Sequence, residues 1–110
     1  MTGDILRGHT ETVILRILTE RDSYGYEISK AINDAGDDML DIKDATIYTA
    51  FRRMEEDALI RAYWGEGGLG GRRRYYAITD AGKKVYEEKK AEWQKINKIL
   101  NNLILGGQND

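Results

Sequence analysis

The sequence predicts an α+β fold, mainly helical: three short helices, a two-stranded hairpin and one long final helix. Three observations predict it. Apolar residues recur at helical spacing over residues 10–20, 24–35 and 45–57. Between residues 59 and 78 the period drops to two on either side of the run Gly65-Glu66-Gly67-Gly68-Leu69-Gly70-Gly71. Helical spacing then resumes over residues 80–105.

In the first helix Val13, Ile14, Ile17 and Leu18 share a stripe. Leu15 lies away from it, and a second apolar face implies a second packing partner. The next helix buries Tyr24, Ile28, Ala31, Ile32 and Ala35. Asp22 or Ser23 is expected to accept bonds from its first N–H groups, and Gly36 to close it before the acidic loop 37–41. Asp44 is expected to cap the third helix, which turns Ile47, Ala50, Phe51 and Met54 inward. Ala45, Thr49 and Arg52 then face outward, with Thr46 and Arg53 on one edge and Tyr48 on the other.

In the hairpin, Ile60, Ala62 and Trp64 alternate with Arg61 and Tyr63, and alternation resumes over 73–78. Thr79 is the expected cap of the final helix. There Tyr86, Trp93 and Leu100 are spaced by seven, as are Lys89, Ile96 and Leu103. The two series sit three apart, like a and d positions of a coiled coil. The tail 106–110 is expected to fray. One compact domain is expected, made of a region over residues 1–78 and a final helical segment over 79–105.

Composition sets outer bounds. A chain of 110 residues fits one domain with one modest core. It has no cysteine, which excludes disulfide scaffolds and thiolate metal sites and is consistent with a cytoplasmic protein. No apolar run approaches the roughly 20 residues of a membrane span, and the acid-bearing start does not resemble a secretory signal. Net charge is −2, but charge is unevenly placed. Acids gather at Asp34, Asp37, Asp38, Asp41 and Asp44, and bases at Arg52, Arg53 and Arg72-Arg73-Arg74. The local field matters more than the sum when a protein meets phosphate.

Helix, helix, helix, hairpin, helix is the order of a winged helix-turn-helix with a long C-terminal dimerisation helix. In that arrangement the N-terminal end of the third helix enters the major groove. Thr46, Tyr48 and Thr49 would donate hydrogen bonds there, and Arg52 and Arg53 would reach phosphate or a guanine edge. The plainer alternative is a solvated face with pairs such as Arg52–Glu56 and Arg53–Asp57. Arg72, Arg73 and Arg74 stand at the base of a flexible tip, where cations displace counterions from a backbone. Arg73 should face away from the other two. Alternatively, these charges only keep the hairpin edge from aggregating.

Gly65-Glu66-Gly67-Gly68-Leu69-Gly70 matches G-x-G-x-x-G, but a dinucleotide site needs that loop to open a helix, and a strand follows here. Trp93, at an a position, either packs a dimer core or sandwiches a flat aromatic ligand with its counterpart. Trp64 reads as core or wing-base packing. His9, the sole histidine, reads as a surface or helix-entry residue without metal or nucleophile partners. No catalysis, cofactor or metal is expected.

Three motifs together resemble the PadR family. Tyr24-Gly25-Tyr26-Glu27-Ile28 is similar to its Y-G-Y-x-[IL] second helix. Thr46-Ile47-Tyr48-Thr49-Ala50-Phe51-Arg52-Arg53-Met54-Glu55 is similar to its recognition helix. Gly71-Arg72-Arg73-Arg74-Tyr75-Tyr76-Ala77-Ile78-Thr79-Asp80-Ala81-Gly82 resembles its wing and exit. The short length and single C-terminal helix resemble a small branch that includes a multidrug-binding repressor. That resemblance implies a homodimer on double-stranded operator DNA, with a planar aromatic ligand between the subunits and no membrane association. Thr12, Leu15, Lys89, Glu92, Trp93, Ile96 and Asn97 would line the cavity, and Leu15 would thereby face the dimer. Two departures stand out. Ala58 replaces the family's usual Gly, and Asn97 replaces an acid of the drug-binding member, leaving Glu11 or Glu92 to meet a cationic ligand.

Overall fold

The computed structural model describes residues 5–106. Its elements follow the expected order: α1 (Thr10–Glu20), α2 (Gly25–Ala35), α3 (Asp44–Glu56), β1 (Ile60–Glu66), a 3-10 turn (Gly68–Gly70), β2 (Arg72–Ile78) and α4 (Asp80–Leu105). The strands pair antiparallel, with Ile60 opposite Ile78, Trp64 opposite Arg74 and Glu66 opposite Arg72. Each strand runs closer to the glycines than alternation alone indicated, since backbone pairing continues where Gly and Arg blur the apolar pattern.

The core gathers α1, α2, α3 and the base of the hairpin. Phe51 stacks on Tyr76 with centroids 3.8 Å apart, and Ile14, Leu15, Ile28, Ile47 and Met54 are fully buried around them. A bridge between Ser23 and Tyr76 ties the α1–α2 connection to β2. Leu15 corrects an expectation. It belongs to the chain's own core, because α1 lies against α3, β2 and α4 together and so buries more than one stripe. A side chain with no exposed surface does not line a cavity between subunits.

Two N-terminal caps also differ from expectation. Neither Asp22 nor Ser23 caps α2: Tyr24 is its N-cap residue, without a side-chain cap bond. Asp22 accepts from the Tyr63 hydroxyl, and Ser23 Oγ donates to Glu27 Oε1 at 2.5 Å. Asp44 lies inside the first turn of α3, where a carboxylate suits the positive end of the helix dipole. It accepts from Ser29 Oγ at 3.0 Å, joining α2 to α3. Gly36 closes α2 as expected, with ordinary helical dihedrals, and Asp37 and Asp38 after it adopt the left-handed conformation.

α3 ends in the doubly bonded helix stop that normally calls for glycine. Leu59 N–H donates to Met54 O and Ala58 N–H to Glu55 O, with Ala58 at φ +60°. Thr79 then caps α4 as expected, accepting from Gly82 N–H at 3.0 Å while its hydroxyl donates to Ala58 O at 2.8 Å. Gly82 has to be glycine: a Cβ there would lie 2.2 Å from Leu59 O. Of the 26 residues of α4 only Gly82 is buried, whereas Trp93, Ile96, Ile99, Leu100, Leu103 and Ile104 are exposed.

Candidate nucleic-acid interface and effector groove

The wing, α2 and α3 enclose a cleft of about 420 Å³ lined by Tyr24, Tyr26, Tyr48, Trp64 and the three arginines. Strand alternation divides the arginines as expected. The Arg72 and Arg74 guanidinium carbons lie 4.8 and 5.7 Å from the centre of the Trp64 ring, while that of Arg73 lies 4.0 Å from the centre of the Tyr24 ring. Cations held over aromatic faces lose side-chain freedom yet keep their charge outward. Arg74 also reaches Glu55 Oε2 at 3.5 Å and donates from Nε to the Tyr76 hydroxyl at 3.2 Å. Burial pushes the Tyr76 hydroxyl above its ordinary pKa, and the Arg74 hydrogen bond pulls it the other way.

Trp64 is 55% exposed, which excludes a core role; it forms the platform of the wing base. Tyr24 and Tyr26 lay outside the sequence-based selection of DNA-contacting residues. Their signal was the glycine between them. Tyr48 lies directly over Gly25, so a Cβ there would come within 2.6 Å of its hydroxyl oxygen, and Tyr24 and Tyr26 therefore share a cleft with the recognition helix.

The outer residues of α3 divide between two sides. Tyr48 opens onto the wing cleft. Thr46, Thr49 and Arg53 are exposed but turn toward α1, lining a polar hollow of about 440 Å³ with Glu11, Thr12 and Lys89. Thr49 Oγ1 donates back to Ala45 O at 3.0 Å, and Arg53 Nε lies 3.5 Å from Glu11 Oε2 rather than beside Asp57. Arg52 is exposed and makes no ion pair among the described residues.

A third recess, about 350 Å³, lies between α1 and α4. It brings together five of the expected ligand residues, Thr12, Lys89, Glu92, Trp93 and Ile96, and adds Ile5, Gly8, His9 and Val13. Neither Leu15, buried in the core, nor Asn97, exposed elsewhere on α4, lines it. A shallower hollow with Arg16, Tyr86 and Lys90 reaches Trp93 from the other side. Spacing along the chain could not find His9 and Val13, which join this recess only through helix packing. Among the described residues no cluster of acids and histidine is placed to hold a metal ion, and no helix is long and apolar enough to cross a membrane.

Known proteins share this architecture. The model of the transcriptional regulator PadR-like family matches residues 14–88. A transcriptional regulator from Clostridium thermocellum superposes with a TM-score of 0.80 at 45% identity, over 90% of this chain and 96% of its own. A PadR-like transcriptional regulator from Bacillus cereus gives 0.82 at 34% identity, over 97% and 99%. An uncharacterized protein from Lysinibacillus sphaericus is 42% identical over 94% of this chain and 95% of its own length.

Proposed function

We propose that this chain, which belongs to the PadR-like family of DNA-binding transcriptional regulators, is a homodimeric repressor released from its operator by a planar aromatic ligand seated at Trp93. The family's role is regulation, not catalysis. In the dimer, residues 79–105 join two copies along the exposed seam Trp93, Ile96, Leu100 and Leu103, whose alternating three- and four-residue spacing suits a paired helix. Residues 1–78 then present two recognition helices to half-sites about 34 Å apart on one face of the duplex. Tyr48 and Arg52 meet the major groove, the exposed Thr46 and Thr49 flank it from the α1 side of α3, Arg72 and Arg74 meet the backbone, and Arg73 braces the wing through Tyr24. Arg53 joins them once it leaves Glu11.

One observation carries the ligand response. The recess at Trp93 and the hollow beneath α3 share Gly8, Thr12 and Lys89. A flat molecule wedged between α1 and α4 therefore presses on residues that also set the seat of the recognition helix. If it binds the DNA-free geometry better, it lowers operator affinity. Coupling of only about 1.4 kcal/mol gives a tenfold effect.

Reciprocity supplies the test. An aromatic dye with no affinity for DNA is titrated into the protein with and without a duplex selected by the protein from a randomised pool. The proposal expects DNA to weaken dye binding by the same factor by which dye weakens DNA binding. Dye binding with unchanged DNA affinity removes the inducer role.

A further inference from the structure

The hairpin tip shows a side chain that the phosphate contacts of the wing do not use. Leu69 is completely exposed, at 108% of its reference surface. Its φ of +61° and ψ of +30° place it in the left-handed region, which crowds the Cβ of an L-residue and is usually left to glycine. Glycine stands at positions 67, 68, 70 and 71, so Leu69 is the only side chain on the knuckle. The base beneath it is braced: Gly67 N–H donates to Gly71 O at 2.7 Å, and Glu66 pairs with Arg72. An apolar side chain is thus held in an unfavourable backbone conformation where it packs against nothing in its own chain. Such local strain points to a use outside the chain.

We propose that Leu69 is an apolar wedge that enters the minor groove and opens a base step beneath the wing, so that the regulator bends the DNA it binds. This rests on the DNA-binding reading above. Shape supports it: the glycine shoulders carry no side chains, so Leu69 alone projects from the tip. Charge supports it as well, because Arg72 and Arg74 on the Trp64 face stand behind the tip, where the phosphates flanking such a groove would lie. Leucine is among the side chains that unstack a base step, and flexible pyrimidine–purine steps yield most easily. A protein partner suits the tip less well. Contact hot spots rest within a rim of surrounding side chains, and the four glycines supply none. The wedge also predicts sequence preference at a step that no polar side chain touches.

The test uses a duplex selected by the wild-type protein from a randomised pool, labelled with a fluorophore pair at its ends. 2-Aminopurine is moved through its pyrimidine–purine steps. Wild type is compared with Leu69→Gly, which relieves the strain, and Leu69→Asn, which accepts the left-handed turn but is polar. The expected result is a wild-type bend within the roughly 20–90° range of wedge proteins, with 2-aminopurine brightening at one step per half-site. Both variants should lose the brightening and most of the bend, yet keep the salt dependence of binding because the arginines are intact. Equal bending and brightening in wild type and Leu69→Asn overturns the wedge and leaves DNA binding standing. Failure of the wild-type protein to enrich or retain any duplex overturns both.

Discussion

α1 buries Ile14, Leu15, Ile17 and Leu18 within 11 residues, whereas α4, with 26, buries only Gly82. Both helices carry regularly spaced apolar side chains. The difference lies in what surrounds them. α1 is enclosed by α3, β2 and α4, but α4 spans about 39 Å and meets the rest of the chain only along its first turns and its α1-facing side. The exposed apolar residues of α4, from Trp93 to Leu105, would contribute on the order of 10 kcal/mol if covered, before the cost of association is subtracted. Asn102 Oδ1 strengthens the contrast: it is shielded yet unpartnered, the only such side-chain atom among the described residues. The helices and hairpin before α4 bury their apolar residues within one chain, whereas the last helix leaves most of its own uncovered.

The hardest test of that contrast is Leu100→Asp with Leu103→Asp. Sedimentation should show a single chain with native helical content, and duplex affinity should fall by about 10²-fold or more as two linked contacts become one. A wild-type protein that is already monomeric at micromolar concentration breaks the comparison outright. Next in size is Arg72→Ala with Arg74→Ala. This pair should weaken binding to all duplexes alike and flatten the dependence of log affinity on log salt by about 2 for each wing. An unchanged slope would show that the wing cations lie off the phosphates.

A smaller effect is expected at the groove that joins the two regions. Trp93→Ala should abolish fluorescence quenching by a flat aromatic dye, lowering its affinity about tenfold or more, with dimer mass unchanged. Loss of the dimer instead would make Trp93 a seam residue alone. The smallest effect concerns the self-contained half. Ala58→Gly should raise stability by about 1 kcal/mol, because glycine occupies the left-handed stop without the Cβ penalty, moving the thermal midpoint up by roughly 4 °C. A lower midpoint would mean that the freedom glycine adds to the unfolded chain outweighs that relief.

Much of the fold was legible because helix and strand periods are properties of the chain. Thr79 as a cap and the division of Arg73 from Arg72 and Arg74 followed from spacing alone. Other expectations failed where a side chain had a better partner elsewhere. Asp44 met Ser29 rather than the helix N–H groups, Arg53 met Glu11 rather than Asp57, and Leu15 met the core. The site was half legible. Heptad spacing on α4 singled out Trp93 and the family resemblance supplied Thr12, Lys89, Glu92 and Ile96, but His9 and Val13 join them across a helix interface that no local pattern encodes.

The sequence by itself determined the order of elements, the glycine-rich knuckle with a lone leucine, and the apolar repeat of the last helix. These depend on dihedral preference and periodicity, which act between near neighbours. Tertiary structure alone decided that Trp64, Tyr24 and Tyr26 line the wing cleft, that Ala58 must adopt a glycine's conformation, and that the Trp93 recess adjoins the hollow beneath the recognition helix. Each of these depends on which surfaces meet once the core has closed, and that is settled by packing between residues far apart in the chain.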